Sequence, residues 1–364
     1  MALTTTTEIS TPVDVVFQTT LLRNAKAMCP YFEGTEPASV AEHGGTFTAK
    51  WRRIDGLTVP SSALTELTGS LAFPTRTPDQ PSVTDITATV SKFGNFIYLT
   101  EEVDLGNYTG QTDKLMEILG INAGQALNRQ QRNEMEDNSD QVFAGAGATT
   151  ATAVGIGDSD AEISASVVAN AVNQLNNQDA LKFAPQSMGS TNVGSSPIRD
   201  AYIGFCHVDV EEDLRAIAAF IETQQYGSHT SLYKGEIGQL GGVRFISTTE
   251  ASIDASTGAT VSGTATAHHR SSGSNRTDVY NMVVMGRDSV GSLGFGFEHV
   301  KETYMAGDSM PGVQMINHSR GSAGSADPLN EVSSLGWKSW HAAKILNSNW
   351  IRTALHASNK LNAD

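Results

Sequence analysis

The chain has 364 residues, two cysteines, 39% hydrophobic content and a formal net charge of −15 at pH 7. That length gives roughly two or three compact units with a sizeable core, and the hydrophobic share argues against global disorder. The acidic balance opposes non-specific adhesion to nucleic acid or an anionic membrane, and no run of about 18 apolar residues offers a membrane span.

The opening MALTTTTEISTP has no basic region and no apolar block, so it does not read as a secretory signal. The N-x-S/T tripeptides at Asn107, Asn275 and Asn317 are then chance sequons. Cys29 and Cys206 lie far apart and outside any CxxC pattern. Sequence leaves a disulfide between them open, and a reduced, cytosolic birthplace fits the count better. From Pro12 onward, Val13, Val16, Phe17, Thr20, Leu21 and Ala25 recur at helical spacing. This predicts an amphipathic arm that stops around Cys29-Pro30, because proline disfavours helix in the residue before it.

Residues 46–54, TFTAKWRRI, alternate, with Phe47, Ala49 and Trp51 on one face and Thr48, Lys50 and Arg52 on the other. A second β-run over 86–98 is expected to pair with it. Between them the chain is rich in Thr, Ser and Pro, including Pro60, Pro74, Pro78 and Pro81. Structureless loops of that length are uncommon inside a compact domain. The segment therefore reads as a hairpin-like excursion that leaves the body and needs a partner to shelter it.

Residues 109–143 form the longest helical candidate: Met116, Leu119, Ala123 and Leu127 make a stripe that Leu115 and Ile118 widen. Beyond Leu127 the run NRQQRNEMEDNSDQ is very polar and predicts an exposed continuation. Residues 144–160 read as an Ala/Gly/Thr linker. A helix over 163–175 follows, with Ile163, Val167, Ala171 and Leu175 on one stripe. Then come a loop at 184–199, a strand over 202–205, and a helix from Asp209 to about Ile221.

Residues 233–250, YKGEIGQLGGVRFISTTE, contain no catalytic constellation. Gly241-Gly242 allows a tight turn with positive φ, and Phe245 and Ile246 suit a half-buried strand with an edge free for packing. A loop over 251–277, a strand over 279–285 and final strands over 291–297 and 336–355 complete the chain. Helices and strands mix without βαβ regularity and without an internal repeat, so the class is α+β.

The run HVDVEED at 207–213 has the residue types of a metal cluster. Asp209 and Glu212 read better as N-cap and capping box, with Glu211 and Asp213 favouring the positive helix end. His268-His269 has no second ligand pair at useful spacing. Glu101, Glu102 and Asp104 could serve hydrolysis only by facing one cleft, and an acidic patch before a helix is the simpler reading. The glycines of GSLGFG at 291–296 make no phosphate-binding fingerprint; in a strand they mark bulges or close backbone approach. No GxSxG, HExxH or paired CxxC occurs, so no catalytic, cofactor or metal residue is assigned. Lys50, Arg52 and Arg53, joined by Arg76 across the hairpin, form a basic cluster. It is either a solvated strand face or a charged contact with an acidic neighbouring subunit.

Three pieces carry a family resemblance. They are TATVSKFGNFIYLTEEVDL at 87–105, HVDVEEDLR at 207–215 followed by GEIGQLGGVRFISTTEA at 235–251, and GWKSWHAAKILNSNW at 336–350. In this order the chain resembles tailed-bacteriophage major capsid proteins of the Hong Kong 97-like fold, more narrowly the phage N-four-type family. The resemblance implies an N-terminal arm at 1–44 and an extended E-loop at 45–90. It implies a peripheral domain with a spine helix at 91–165, continued at 278–345, and an axial domain at 166–277, continued at 346–364. It further implies hexamers and pentamers of an icosahedral shell around double-stranded DNA, held without sequence-specific binding and assembled in the host cytoplasm.

Scaffolding and portal proteins would be separate partners, with room for decoration proteins, and no enzyme activity, cofactor or membrane is implied. The candidates for subunit interfaces are Lys50, Trp51, Arg52, Arg53, Arg76, Glu236, Gly241 and Gly242. The competing readings are an encapsulin-like nanocompartment shell and a carboxylate-based hydrolase.

Overall fold

The computed structural model describes residues 29–37, 39–40, 48–54, 56–57, 59, 61, 79–106, 111–138, 140–145, 147–155, 161–183, 200–225, 233–260, 276–293, 313–322 and 327–359. The expected arm before Cys29, the tip of the excursion with Arg76, the 184–199 loop, His268-His269 and the glycines beyond Leu293 lie outside these residues.

A 3-10 turn at Pro30–Phe32 leads into short strands β1 (Glu36–Pro37) and β2 (Ser39–Val40). Next come β3 (Thr48–Ile54), β4 (Val83–Thr89), β5 (Ser91–Thr100), α1 (Glu101–Gly106), α2 (Gln111–Glu136) and β6 (Gln141–Phe143). The middle of the chain forms α3 (Ala165–Asn177), β7 (Tyr202–His207), α4 (Glu211–Ala216), β8 (Ile221–Glu222), β9 (Glu236–Leu240), β10 (Val243–Thr248) and β11 (Ile253–Asp254). It closes with β12 (Val279–Met285), β13 (Val290–Ser292), β14 (Val313–His318), β15 (Val332–His341), β16 (Ala343–Ile345) and β17 (Ile351–His356).

The largest sheet runs β6-β17-β12-β7-β10-β9-β8, with β11 beside β12. Its central strands are buried on both faces, which is why they read as continuous apolar runs such as VYNMVVM. On one face α3 sets Val167, Val168, Ala171, Val172 and Leu175 against Tyr202, Cys206, Phe245, Met282 and Val284. On the other, Tyr31 and Met135 pack with Ile203, Phe205, Ile246, Val283 and Met285. A second body is smaller. There β14-β15-β5 lays Leu335, Trp337 and Val313 on the α2 stripe of Met116, Leu119, Ala123 and Leu127. The expected pairing holds only for the first part of the second β-run: β4 pairs with β3 from Thr48↔Thr89 to Ile54↔Val83, whereas residues 91–100 form the separate strand β5, which pairs with β15.

Several expectations shift. The long helix stops at Glu136, because residues 141–143 leave it to pair in parallel with β17. Its polar half is exposed only on one side: Arg129, Gln130 and Asn133 are exposed, while Asn128, Gln131 and Met135 are buried. Asn128 Oδ1 accepts from the Tyr31 backbone N–H at 3.1 Å, so polarity there marks a hydrogen-bonded interface. Residues 144–160 are packed in part where described: Ala144 and Val154 are fully enclosed, while Thr149, Thr150 and Thr152 are exposed. The 209–221 helix shrinks to α4, preceded by a 3-10 turn at Val208–Val210 that His207 caps by accepting from Asp209 N–H at 3.1 Å. Asp209 instead accepts from the Tyr280 hydroxyl at 3.2 Å, so no Asp209–Glu212 capping box forms.

Strand β10 is neither half-buried nor an edge; β7 and β9 pair on its two sides. Strand β12 lies inside the large sheet, between β17 and β7, with all seven of its residues buried.

Candidate functional site

Two surfaces stand out from the packed bodies. The first is the β3–β4 hairpin. Its alternation is visible in burial, with Ala49 and Trp51 buried while Lys50 and Arg52 are exposed. Asp85 on β4 lies 2.6 Å from Lys50 Nζ and 3.0 Å from Arg52 Nε. Hydrogen bonds from Lys50 and then Arg52 hold the Asp85 carboxyl below its usual range. The basic cluster is thus partly matched within its own hairpin.

Arg53 points to the root instead and donates to the Leu346 carbonyl at 3.2 Å. Trp51 packs onto Gly291 of β13, a close approach that leaves no space for a β-carbon. At this root a cleft of about 880 Å³ opens between Trp51, Ile86, Leu346 and Trp350. Farther out, the cross-strand pair Ile54 and Val83 is 67% and 52% exposed, and Leu57 and Val59 are exposed beside it.

The second surface is the outer face of β14-β15-β5. Register places Phe96 beside Gly336 and Ile316, and Tyr98 beside Ser334 and His318. The small residues of β15 make a floor, and the flanking strands make walls. The result is a groove of about 600 Å³ along the strands, with Lys92 and Lys338 also in its lining. Phe96 and Tyr98 are 60% and 66% exposed and meet edge to face at 5.1 Å. Sequence reasoning missed this face. The available signal was apolar residues at both parities of β5: Phe93 and Ile97 pack with the α2 stripe and Leu99 is buried, while Phe96 and Tyr98 are exposed.

The remaining candidates sit elsewhere. Gly241 and Gly242 adopt φ of 60° and 90° and close the two-residue β9–β10 turn, where L side chains would be strained. Glu236 is not a surface charge: its enclosed carboxylate receives Arg244 Nε at 2.8 Å and the Tyr233 backbone N–H at 3.0 Å. The Arg244 guanidinium lies 4.3 Å from the Tyr233 ring centre, so Glu236 organises the start of this hairpin. Glu101 opens α1 and pairs with Arg320 at 3.4 Å. Asp213 of the 207–213 run accepts from Ser358 and Asn359 at 2.9 and 3.0 Å, holding the chain beyond β17.

Cys29 and Cys206 are free and buried, and burial pushes both thiols up to about 12. Among the described residues no group of three or more His, Cys, Asp or Glu is disposed to hold a metal ion, and no helix is long and apolar enough to cross a membrane.

The chain superposes on solved phage capsids over most of its length. The capsid protein of Ralstonia phage GP4 superposes with a TM-score of 0.56 at 12% identity, over 91% of this chain and 87% of that one. The head of Helicobacter pylori bacteriophage KHP40 gives 0.54 at 12% identity, over 91% of each chain. The capsid of cyanophage Pam1 gives 0.51 at 13% identity, over 92% of each. At these identities the likeness defines the fold, which is the Hong Kong 97-like capsid fold.

The family follows from sequence: the profile described as phage capsid protein matches residues 83–354, so the chain belongs to that family. It is a structural protein of the virion shell, the major capsid protein of a tailed phage. No curated protein sequence matches it significantly.

Proposed function

We propose that this capsid protein assembles into hexamers and pentamers of an icosahedral shell around double-stranded DNA, and that the β3–β4 hairpin is the extended loop by which one subunit overlaps the next. The observation that supports this most is the exposed apolar pair Ile54 and Val83 on a projecting hairpin. Buried on assembly, such side chains gain about 1.5–3 kcal/mol each in transfer free energy. The Phe96–Tyr98 groove runs along the strands with two exposed aromatic side chains in its lining, a form suited to an extended segment of a neighbour.

In this reading α2 and the small sheet form the peripheral domain, and the large sheet forms the axial domain, with the Gly241-Gly242 turn near the capsomer centre. Lys50, Arg52, Arg53 and Arg76 meet acidic surface on a neighbouring subunit. Scaffolding and portal proteins act separately, DNA is enclosed without sequence-specific contacts, and assembly takes place in the host cytoplasm. The chain works by contact and not by catalysis; no observation favours an enzyme-cargo compartment or a hydrolase. Electron microscopy of the purified product, alone and with companion phage proteins, tests this reading. Closed shells are expected, and a monomer under every condition that is also absent from virions contradicts it.

A further inference from the structure

The last turns of α2 end against the segment that leaves β10. Arg129 reaches the Glu250 carboxylate with two nitrogens, at 2.5 and 3.4 Å, and Arg132 donates to the Glu250 carbonyl at 2.6 Å. One turn on, Glu136 lies 3.6 Å from Arg132 Nε and faces Ser252, which pulls its carboxyl toward the ionised form. Ser252 Oγ accepts from Asn281 Nδ2 at 2.7 Å, and the same nitrogen reaches Asp254 at 3.1 Å. A line of polar contacts therefore runs from the helix, through the connecting segment, into the centre of the large sheet.

Glu136 is the weak point of that line. Its Oε1 is buried without a hydrogen-bond partner, as is the hydroxyl of Tyr31 from the N-terminal turn. Charge around it is mixed: Arg132 on its own helix favours the ionised form, Asp254 of β11 opposes it, and Tyr31 senses both Glu136 and Glu250. Strand β12 brings the neutral Asn281 to this seam, and Lys344 of β16 is engaged with Glu134 at 2.7 Å.

We propose that Glu136 is a proton-operated joint between α2 and the large sheet, closed when its carboxyl is protonated and driven toward a hydrated, opened arrangement when it is ionised. Burial pushes this carboxyl above its ordinary value, against the opposing pull of Ser252 and Arg132. An opened form returns the carboxylate to water and to its usual affinity for protons. Deprotonation therefore favours opening, and acidification favours closure. The Arg129–Glu250 pair lies farther out and tethers the helix end in both states. This joint belongs to the subunit alone, so its test does not depend on shell assembly.

Amide hydrogen exchange on the unassembled full chain, corrected for intrinsic rates, reads the joint directly. Between pH 5 and 8, protection of 132–138 and 250–254 should fall at least about threefold while the centre of the large sheet stays constant, an opening local to one cooperative unit. Glu136→Gln should remove that pH dependence and keep the segment protected throughout. A parent protein with flat protection at these residues overturns the proposal whether or not the variant folds. So does a Glu136→Gln variant that follows the parent's pH trend.

Discussion

The indole of Trp51 lies against the backbone of Gly291, so closely that a β-carbon at position 291 would clash with the ring. The contact ties the root of the β3–β4 hairpin to β13, and the Arg53–Leu346 hydrogen bond ties it to the end of β16. Trp51 clusters there with Ala49, Val90, Ala342 and Leu346. The described strands of the hairpin therefore have a fixed base.

Gly291→Ala should overpack this base at a cost of about 1–3 kcal/mol in unfolding free energy. Trp51→Leu in the same chain should restore part of the loss, because it vacates the space the new methyl needs. Denaturant unfolding of the four members of the cycle measures the coupling, and simple additivity would show that the two sites do not compete for space.

The enclosed Glu236–Arg244 pair predicts an asymmetry. Glu236→Ala leaves a guanidinium buried without its carboxylate and should cost about 3–5 kcal/mol. The double variant E236L/R244M should lose markedly less, since neither charge remains to be desolvated. Chemical denaturation of the unassembled subunit compares the two. Equal losses would mean that Arg244 finds another partner.

Much of this was legible in sequence for physical reasons. The 48–54 alternation survives because a strand with one buried face repeats every second residue, and the Gly-Gly turn survives because few other residues accept two positive φ angles in succession. The α2 stripe at Met116, Leu119, Ala123 and Leu127 likewise held. What failed was the equation of polarity with exposure. Asn128 and Arg132 read as solvent-facing, yet their partners, the Tyr31 backbone and the Glu250 carbonyl, lie far away in the chain. Nothing local announces, either, that Arg244 folds back over Glu236. The aromatic groove was hidden because its floor residue, Gly336, and its wall, Phe96, come together only through strand register.

Acid should weaken the subunit through His341. Burial lowers this imidazole from 6.5 to about 4, and buried His356 is lowered for the same reason. The unfolded chain binds the extra proton first, so the contribution is intact above about pH 6.5 and is lost as pH falls toward 4. For His341 this amounts to about 2 kcal/mol between pH 7 and 5. Urea unfolding should show that decline in the parent and a shallower one, by up to about one proton, in His341→Gln. Identical slopes would place the uptake elsewhere.

Phe96→Asp and Tyr98→Asp separate folding from assembly. Both side chains are mostly exposed in the subunit, so unfolding free energy should change by no more than about 0.5 kcal/mol. Shell yield, followed by sedimentation, should fall severely. Normal shells would show that this groove is not a subunit contact.

Removal of residues 57–80 should leave the two packed bodies folded and impair stable shells, a comparison best made by thermal unfolding of the subunit beside particle counts. The most direct measurement is a particle reconstruction at a resolution that traces the chain. The account predicts a closed shell of this protein in which the hairpin around Ile54 and Val83 lies across the Phe96–Tyr98 face of a neighbouring subunit. A shell in which every hairpin folds back on its own subunit, or particles that do not contain this chain, would contradict it.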